Sequence, residues 1–294
     1  MTTATQQNTL QCDVNESGIA TLWLDSAGHS VVVLNRALIQ RLNTAIDSIE
    51  QTAGIKGLVL RSNCDRVFVA GADLSEIDGL DDHGLHAYLA FGTTVFGRIS
   101  ALPYPTVAAI NGATLGGGLE VAMHCDALIA SKSNASRKAY QIGLPEAGLG
   151  LCPGWGGTQL LPARIDPAVA IQSTATGTTF LSTEVPNGLV DVFVETPDEL
   201  QDASEQWIEQ HEATKTTPIA INSTNAAACE EGLATAKSNT EQVEAANAVF
   251  LAVETGIASG WTTAVAMEQC ELVRLRNTPA AREKLDAFLS KRQG

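Results

Sequence analysis

Positive charge is scarce in this chain of 294 residues. Its 18 lysines and arginines are outnumbered by 33 aspartates and glutamates, which gives a formal net charge of −15. Because such a field repels nucleic acid and anionic membrane surfaces, neither is expected as a partner. Any anionic ligand must be held by local donors. Hydrophobic residues make up 45% and charged residues 17% of the chain, which suits a globular protein with a buried core.

Cysteine pairs, targeting signals and long apolar runs are also missing. The six cysteines form no CxxC pair and no metal-ligand spacing with the five histidines, so we expect reduced thiols and no metal site. Reduced thiols are typical of a cytoplasmic protein. The polar N-terminus lacks the apolar stretch of a signal peptide, and no apolar run approaches the roughly 20 residues of a membrane span. A cytoplasmic location is therefore predicted.

Strands alternate with helices up to about residue 196. The patterns predict strands at 10–14, 18–26, 57–61, 106–110, 127–130, 140–142 and 189–194, and helices at 35–52, 84–101 and 117–124. This order predicts an α/β fold built from crossover units around a sheet. Beyond it, helices are predicted near 198–212, 217–235, 239–258, 261–276 and 279–291. We therefore predict a core domain over 1–196 and a helical C-terminal oligomerisation region over 197–294.

Three glycine-rich segments each place a turn beside a carboxylate. They read FVAGADLSEI at 68–77, AAINGATLGGGLEVAMHCD at 108–126 and GLPEAGLGLCPGWGGTQLLP at 143–162. A run such as Gly116 to Gly118 at the start of a helix lets backbone N–H groups approach a ligand oxygen, and the helix dipole points the same way. This pattern predicts a site that can stabilise an oxyanion.

Two glutamates in these segments are candidate acid and base groups. Glu120 falls in the first turn of the predicted helix, where the helix N-terminus favours the anion and suits a base. A glutamate at this position most often only stabilises the first turn of its helix. Glu146 follows Pro145 in a loop, where desolvation would raise its pKa and suit an acid. It could equally be a carboxylate that orders the loop, and the residues alone leave both questions open.

Other glycine-loop and nucleophile chemistries are not supported by the spacing. GATLGGGLE lacks the G-x-G-x-x-G pattern of a dinucleotide fold, and no Walker lysine follows it. The sequence has no G-x-S-x-G elbow. Neither nucleotide binding nor a serine hydrolase is therefore expected.

Four ordered motifs resemble the enoyl-CoA hydratase/isomerase, or crotonase, superfamily. They are AGAD, NG-x-x-x-GGG-x-E, LPE-x-x-LG and PG-x-GGTQ, and the stretch LRSNCDRVFVAGADLSEI is similar to the hydratase portion of fatty-acid oxidation multifunctional enzymes. The resemblance implies an α/β fold with a crotonase-like repeated ββα core and a helical C-terminal region that forms trimers. It implies a homotrimer or a dimer of trimers acting on an acyl-CoA thioester. No separate cofactor is expected, because coenzyme A is part of the substrate.

The resemblance also assigns site residues. It implies an oxyanion hole made by the backbone N–H groups of Ala72 and Gly117, and a water held by Glu120 and Glu146 for syn addition to a trans-2-enoyl-CoA. Glu120 would act as the base and Glu146 as the acid. The implied substrate-binding residues are Ala70, Gly71, Asp73, Leu74, Gly116 and Gly154.

Two other functions fit the same family. A Δ3-Δ2 enoyl-CoA isomerase needs a proton shuttle but no bound water, so the presence of both glutamates favours hydration. A catalytically idle scaffold would be expected to lose a glutamate or a glycine of the triple run, and neither is lost. Lys291 and Arg292 are candidates for binding the CoA phosphates. Pro186 stands where related chains continue a short helix before GLVD, so different local packing is expected there.

Overall fold

Ten strands form two sheets in this computed structural model, which describes residues 9–213 and 217–290. The six-stranded sheet has the order β1-β2-β3-β5-β7-β10, and the four-stranded sheet has the order β4-β6-β8-β9. Their bounds are β1 Gln11–Val14, β2 Ile19–Leu24, β3 Gly57–Ser62, β4 Val67–Val69, β5 Thr106–Ile110, β6 Ala113–Leu115, β7 Ala127–Ser131, β8 Gln141–Gly143, β9 Thr179–Leu181 and β10 Val192–Val194. Only the β1–β2 and β8–β9 pairs among these are antiparallel.

From β3 to β8, consecutive strands alternate between the two sheets. The pairs β3 and β4, β5 and β6, and β7 and β8 each contribute one strand to each sheet before the chain enters a helix. This arrangement confirms the predicted α/β fold with a repeated ββα core. The sequence patterns missed the three-residue strands β4, β6 and β9, which are too short to show an alternating pattern, whereas β8, of the same length, was found from the apolar run at 140–142.

Eleven α-helices are present in the described ranges. They are α1 Arg36–Gln51, α2 Leu74–Gly79, α3 Asp82–Ser100, α4 Gly117–Met123, α5 Gly157–Leu160, α6 Pro167–Thr176, α7 Leu200–Gln210, α8 Ala226–Asn239, α9 Glu244–Ser259, α10 Trp261–Leu275 and α11 Pro279–Ser290. Short 3-10 helices cover Glu146–Leu149 and Pro197–Glu199. The helical character predicted for the C-terminal region is therefore confirmed.

Two local differences from the predicted helices have clear causes. The helix predicted from residue 217 begins only at Ala226, because a turn precedes it in which Asn225 Oδ1 accepts from the Asn222 N–H and Asn222 Oδ1 accepts from the Thr224 N–H. Pro186 opens another turn, closed by a 3.2 Å bond from the Leu189 N–H to the Pro186 carbonyl. The expected departure from a continuous helix at Pro186 is thus present.

The six-stranded sheet is covered on both faces. Leu200 and Ile208 of α7 pack on one face against a small cluster that includes Val59, Val107 and Ile129. The larger core covers the other face and includes side chains from both the sheets and the C-terminal helices. Because both faces are covered, every residue of β5 and β7 is buried. The division between 196 and 197 stays a prediction.

All six cysteines lie in the described residues and are free thiols. Within residues 9–213 and 217–290, no helix is both long enough and apolar enough to cross a bilayer. The same two ranges contain no cluster of three histidine, cysteine or acidic side chains suited to a metal ion.

Arg276 fastens the end of α10 to the turn between α2 and α3. Its buried guanidinium donates to the carbonyls of Ile77 and Leu80 at 2.5 and 2.6 Å, and to Asp82 at 2.6 Å. We expect Arg276→Ala to lower the free energy of unfolding by about 2 kcal/mol, because two carbonyls lose a charged donor. Urea denaturation measures this loss. Arg274→Ala, which removes the ion pairs of a half-exposed guanidinium to Glu244 and Glu271, should cost under about 1 kcal/mol, and equal costs would contradict the assignment.

Candidate active site

A cavity of about 500 Å³ lies where the three glycine-rich segments meet. Nine of the ten residues predicted for the site line it: Ala70, Gly71, Ala72, Leu74, Gly116, Gly117, Glu120, Glu146 and Gly154. Asp73 does not line it. Its carboxylate instead caps α2 by accepting bonds from the Ser75 N–H at 3.0 Å and the Ser75 hydroxyl at 2.7 Å. The tertiary structure therefore brings together segments that are widely separated along the chain.

Two backbone N–H groups on the cavity wall have no acceptor. Ala72 pairs with Leu34 in an isolated parallel bridge whose bonds use the Gly71 carbonyl and the Asp73 N–H, so the Ala72 N–H is left over. Gly117 begins α4, where the first N–H groups have no partner within the helix. Neither N–H donates to any acceptor in the described part of the chain. These are the two amides predicted to form an oxyanion hole.

The glycine run is required by close packing on this wall. Gly116 has a φ of 52°, and a Cβ atom there would lie 2.5 Å from Oε1 of Glu146. A Cβ at Gly117 would lie 2.4 Å from the indole ring of Trp155. Any side chain at these two positions would push Glu146 or Trp155 out of place, so glycine keeps the wall close to the carboxyl group.

Glu120 extends from the first turn of α4, but its carboxylate does not serve its own helix. Oε1 accepts bonds from the N–H groups of Trp155 at 2.8 Å and Gly157 at 2.7 Å, which open α5. Burial and the charges of Glu268 and Glu146 raise the pKa of Glu120 well above its ordinary value, although these two bonds oppose the rise. The expected anion-stabilising donors are thus present but come from α5, and burial outweighs them.

Glu146 is the first residue of the short 3-10 helix after Pro145. Its Oε2 is enclosed and has no hydrogen-bond partner among residues 9–213 and 217–290. Burial raises the pKa of Glu146 to about 8. Since Oε2 bonds to no loop N–H, the desolvated carboxyl group anticipated from the sequence fits better than a loop-ordering carboxylate.

A third buried carboxyl group, Glu268 of α10, was not predicted. It is fully buried and accepts bonds from the N–H groups of Gly156 at 2.7 Å and Thr158 at 2.8 Å, and from the Thr158 hydroxyl. Burial raises the pKa of Glu268 to about 7. A signal was available in the sequence, because Ala264, Glu268 and Leu272 recur at helical spacing on the buried face.

Apolar side chains form most of the remaining cavity wall. Two of them, Leu272 of α10 and Phe288 of α11, come from the C-terminal region. The others are Val33, Ile77, Leu89, Leu115, Leu149, Leu151 and Trp155. Such a wall suits an apolar chain. No ion pair to Glu120, Glu146 or Glu268 is formed within the described residues, and the predicted phosphate ligands Lys291 and Arg292 lie outside them.

Comparison with known proteins identifies the class and then the family. The paired sheets and ββα repeats are those of crotonase-fold structures. The human mitochondrial Δ3-Δ2-enoyl-CoA isomerase is similar, with a TM-score of 0.69, 21% identity and coverage of 97% of this chain and 98% of that one. The enoyl-CoA hydratase of Bacillus anthracis has a TM-score of 0.59, 24% identity and 96% coverage of both chains.

The family model for enoyl-CoA hydratase/isomerase matches residues 15–258, and the chain belongs to this family. An enoyl-CoA hydratase from Mycobacterium avium subsp. paratuberculosis is also similar, with a TM-score of 0.62, 20% identity and coverage of 94% of this chain and 97% of that one. Because hydratases and an isomerase share the fold at these low identities, the likeness shows the fold and does not select between the two reactions.

Proposed function

We propose that this protein is an enoyl-CoA hydratase that adds water syn across the 2,3 double bond of a trans-2-enoyl-CoA, as in fatty-acid β-oxidation. The observation that carries the proposal is the meeting of Glu120 and Glu146 on one cavity wall, beside two N–H groups without acceptors. A carboxyl pair can hold and deprotonate a water while also supplying a proton. The two backbone N–H groups supply the hydrogen bonds that stabilise negative charge on the carbonyl oxygen of a thioester.

The first part of the mechanism is polarisation of the thioester carbonyl. The carbonyl oxygen accepts bonds from the N–H groups of Ala72 and Gly117. As water adds, negative charge develops on this oxygen, and donors fixed by the backbone stabilise it without reorganising. Gly154, at the cavity wall, lies near the reacting carbons.

The second part is the movement of two protons. Glu120 takes a proton from the water as its oxygen bonds to C3, and Glu146 gives a proton to C2, so one H and one OH are added to the same face. Glu120 then carries the proton that Glu146 has lost, and exchange through water restores the starting state. Because burial raises the pKa of both carboxyl groups, the site is suited to a pair that shares protons during the reaction.

Substrate binding divides the cavity into two parts. The CoA portion lies along Ala70, Gly71, Leu74 and Gly116, with Asp73 holding the start of α2. Its phosphates are candidates for binding by Lys291 and Arg292 or by backbone donors. The acyl chain lies against the apolar wall that α10 and α11 help to form. CoA is part of the substrate, so the reaction uses no separate cofactor.

Isomerisation is the second candidate function. Glu146, whose buried carboxyl has a pKa of about 8, could alone move a proton from C2 to C4 of a 3-enoyl-CoA. The second buried glutamate supports hydration instead, because isomerisation has no water to activate.

Purified protein given a series of trans-2-enoyl-CoA and 3-enoyl-CoA thioesters distinguishes these functions. Hydration should remove the absorbance of the conjugated enoyl group from 2-enoyl substrates of increasing chain length. Formation of conjugated product from 3-enoyl substrates, with no loss of the 2-enoyl compounds, would favour the isomerase. No change with either series would leave the idle scaffold.

We propose that the chain acts as a cytoplasmic homotrimer or dimer of trimers. Exposed apolar side chains in and beside the C-terminal helices, including Ile219, Val243 and Leu251, support self-association. The free thiols support a reducing compartment. Light scattering should give about three or six times the 30.8 kDa chain mass. A monomer at micromolar concentration would contradict the proposal.

A further inference from the structure

Four consecutive N–H groups at the start of α5 alternate between two carboxylates. Trp155 and Gly157 donate to Glu120 at 2.8 and 2.7 Å, whereas Gly156 and Thr158 donate to Glu268 at 2.7 and 2.8 Å. The turn at 155–158 is therefore held between α4 of the core and α10 of the C-terminal region. All four donors are buried, so each acceptor is needed.

The turn cannot hold this shape by itself. Gly156 has a left-handed φ of 102°, and α5 is four residues long with no side chain capping it from within. Glu268 supplies the missing cap and accepts a third bond from the Thr158 hydroxyl. Its carboxylate therefore determines where the Trp155 and Gly157 N–H groups lie, and these are the groups that hold Glu120.

We propose that Glu268 is a positioning residue for Glu120, acting through the 155–158 turn. The inference rests on the proposed hydration. Glu268 does not line the cavity and so does not touch the substrate. Glu268 holds Oε1 of Glu120 indirectly, by fixing the turn that carries the Trp155 and Gly157 N–H groups. The other carboxylate oxygen of Glu120 then stays toward the water. Through this contact α10 completes the catalytic centre, although α4 and α10 are far apart in the sequence.

Glu268 also contributes charge to the site. The titratable groups gathered around it are Glu120, Glu146 and Cys152, whose thiol donates to the Glu268 carbonyl at 3.4 Å. Two further groups are coupled to this set. Beyond the effect of burial, the charge of Glu271 raises the pKa of Cys152 and the charge of Glu120 raises the pKa of Tyr88. The negative charge of Glu268 raises the pKa of both Glu120 and Glu146. Removing it should lower those pKa values.

The substitution Glu268→Gln separates positioning from simple packing. The glutamine oxygen can still accept from Thr158, but its amide nitrogen is a donor and would face the Gly156 N–H. We expect kcat to fall about 30-fold with KM changed less than about threefold, because the base is displaced while the cavity wall is intact. The acid limb of the kcat/KM profile should move to lower pH as the neighbouring charge is lost. Amides 155–158 should exchange hydrogen faster.

Val265→Ala is the matched control, because Val265 is buried on the same helix and its apolar side chain cannot accept a hydrogen bond from the 155–158 turn. It should lower the melting temperature while kcat, the acid limb and exchange at 155–158 stay as in the wild type. The proposal is overturned if Glu268→Gln behaves like Val265→Ala in all three. It is also overturned if the acid limb stays in place or moves to higher pH.

Failure of the proposed function gives a different result. In that case the wild type itself does not hydrate any 2-enoyl-CoA, and the exchange measurement alone decides the role of Glu268. Faster exchange at 155–158 in Glu268→Gln than in Val265→Ala supports positioning of the turn. Equal exchange in the two variants refutes it.

Discussion

Glu120→Gln should lower kcat for hydration about a thousandfold while KM stays within a few-fold of the wild type. The carboxamide oxygen can still accept the bonds from Trp155 and Gly157, so the turn and the cavity should be retained. What the variant loses is the ability to take a proton from water. Steady-state kinetics on a trans-2-enoyl-CoA measure the loss, and Glu146→Gln should show a loss of similar size.

The control for this prediction is Glu231→Gln, a change of the same size at an exposed position of α8. It should leave both kcat and KM unaltered. Full turnover by Glu120→Gln or by Glu146→Gln would contradict the assigned pair. A loss accompanied by an altered circular dichroism spectrum would point instead to damage to the fold, which the isosteric change is designed to avoid.

Glu146→Gln should also stabilise the folded protein at alkaline pH. Burial raises the folded-state pKa of Glu146 to about 8, above its ordinary value of 4.5. The stability contribution of such a group is complete below about pH 4.5 and is lost as pH rises through about 8. The glutamine variant has no charge to bury, so its advantage should be near zero at about pH 4.5 and grow to about 5 kcal/mol near pH 9.

Urea denaturation across this range tests the pH dependence. The comparison is again Glu231→Gln, whose difference from the wild type should stay flat with pH because the side chain is exposed. A Glu146→Gln advantage that is equal at both ends, or that shrinks as pH rises, would show that the carboxyl group is not desolvated. Glu268 should add to the alkaline instability of the wild type, since its pKa is also raised.

The long elements were predictable because their periodic patterns extend over enough residues. The helix ending near residue 51 and the strands β2, β5 and β7 were all placed to within one or two residues. Short elements were not, and α2, α6 and the three-residue strands β4, β6 and β9 were missed. In these, local propensity is weak and pairing with distant strands decides the conformation.

Some residues of the candidate site could be predicted from sequence motifs, and others could be recognised only in the tertiary structure. Glu120 and Glu146 stand in glycine-rich motifs, so the sequence could nominate them. Glu268 stands in an ordinary helix, where helical spacing could indicate that it is buried, but its role is visible only in its buried bonds to the 155–158 turn. Asp73 shows the opposite case, because its motif suggested ligand contact and its carboxylate is used to cap α2. A motif records which residues recur together, not which atoms they bond.

The sequence by itself determined the α/β class, the family, the glycine run and the two motif glutamates, because each depends on residue types at short spacing. The tertiary structure alone decided that these segments share one cavity, that the Ala72 and Gly117 N–H groups have no acceptor, and that Glu268 holds the turn bound to Glu120. The tertiary structure also raises the pKa values of the three buried glutamates. Desolvation and the charge of neighbours arise only when distant parts of the chain exclude water together.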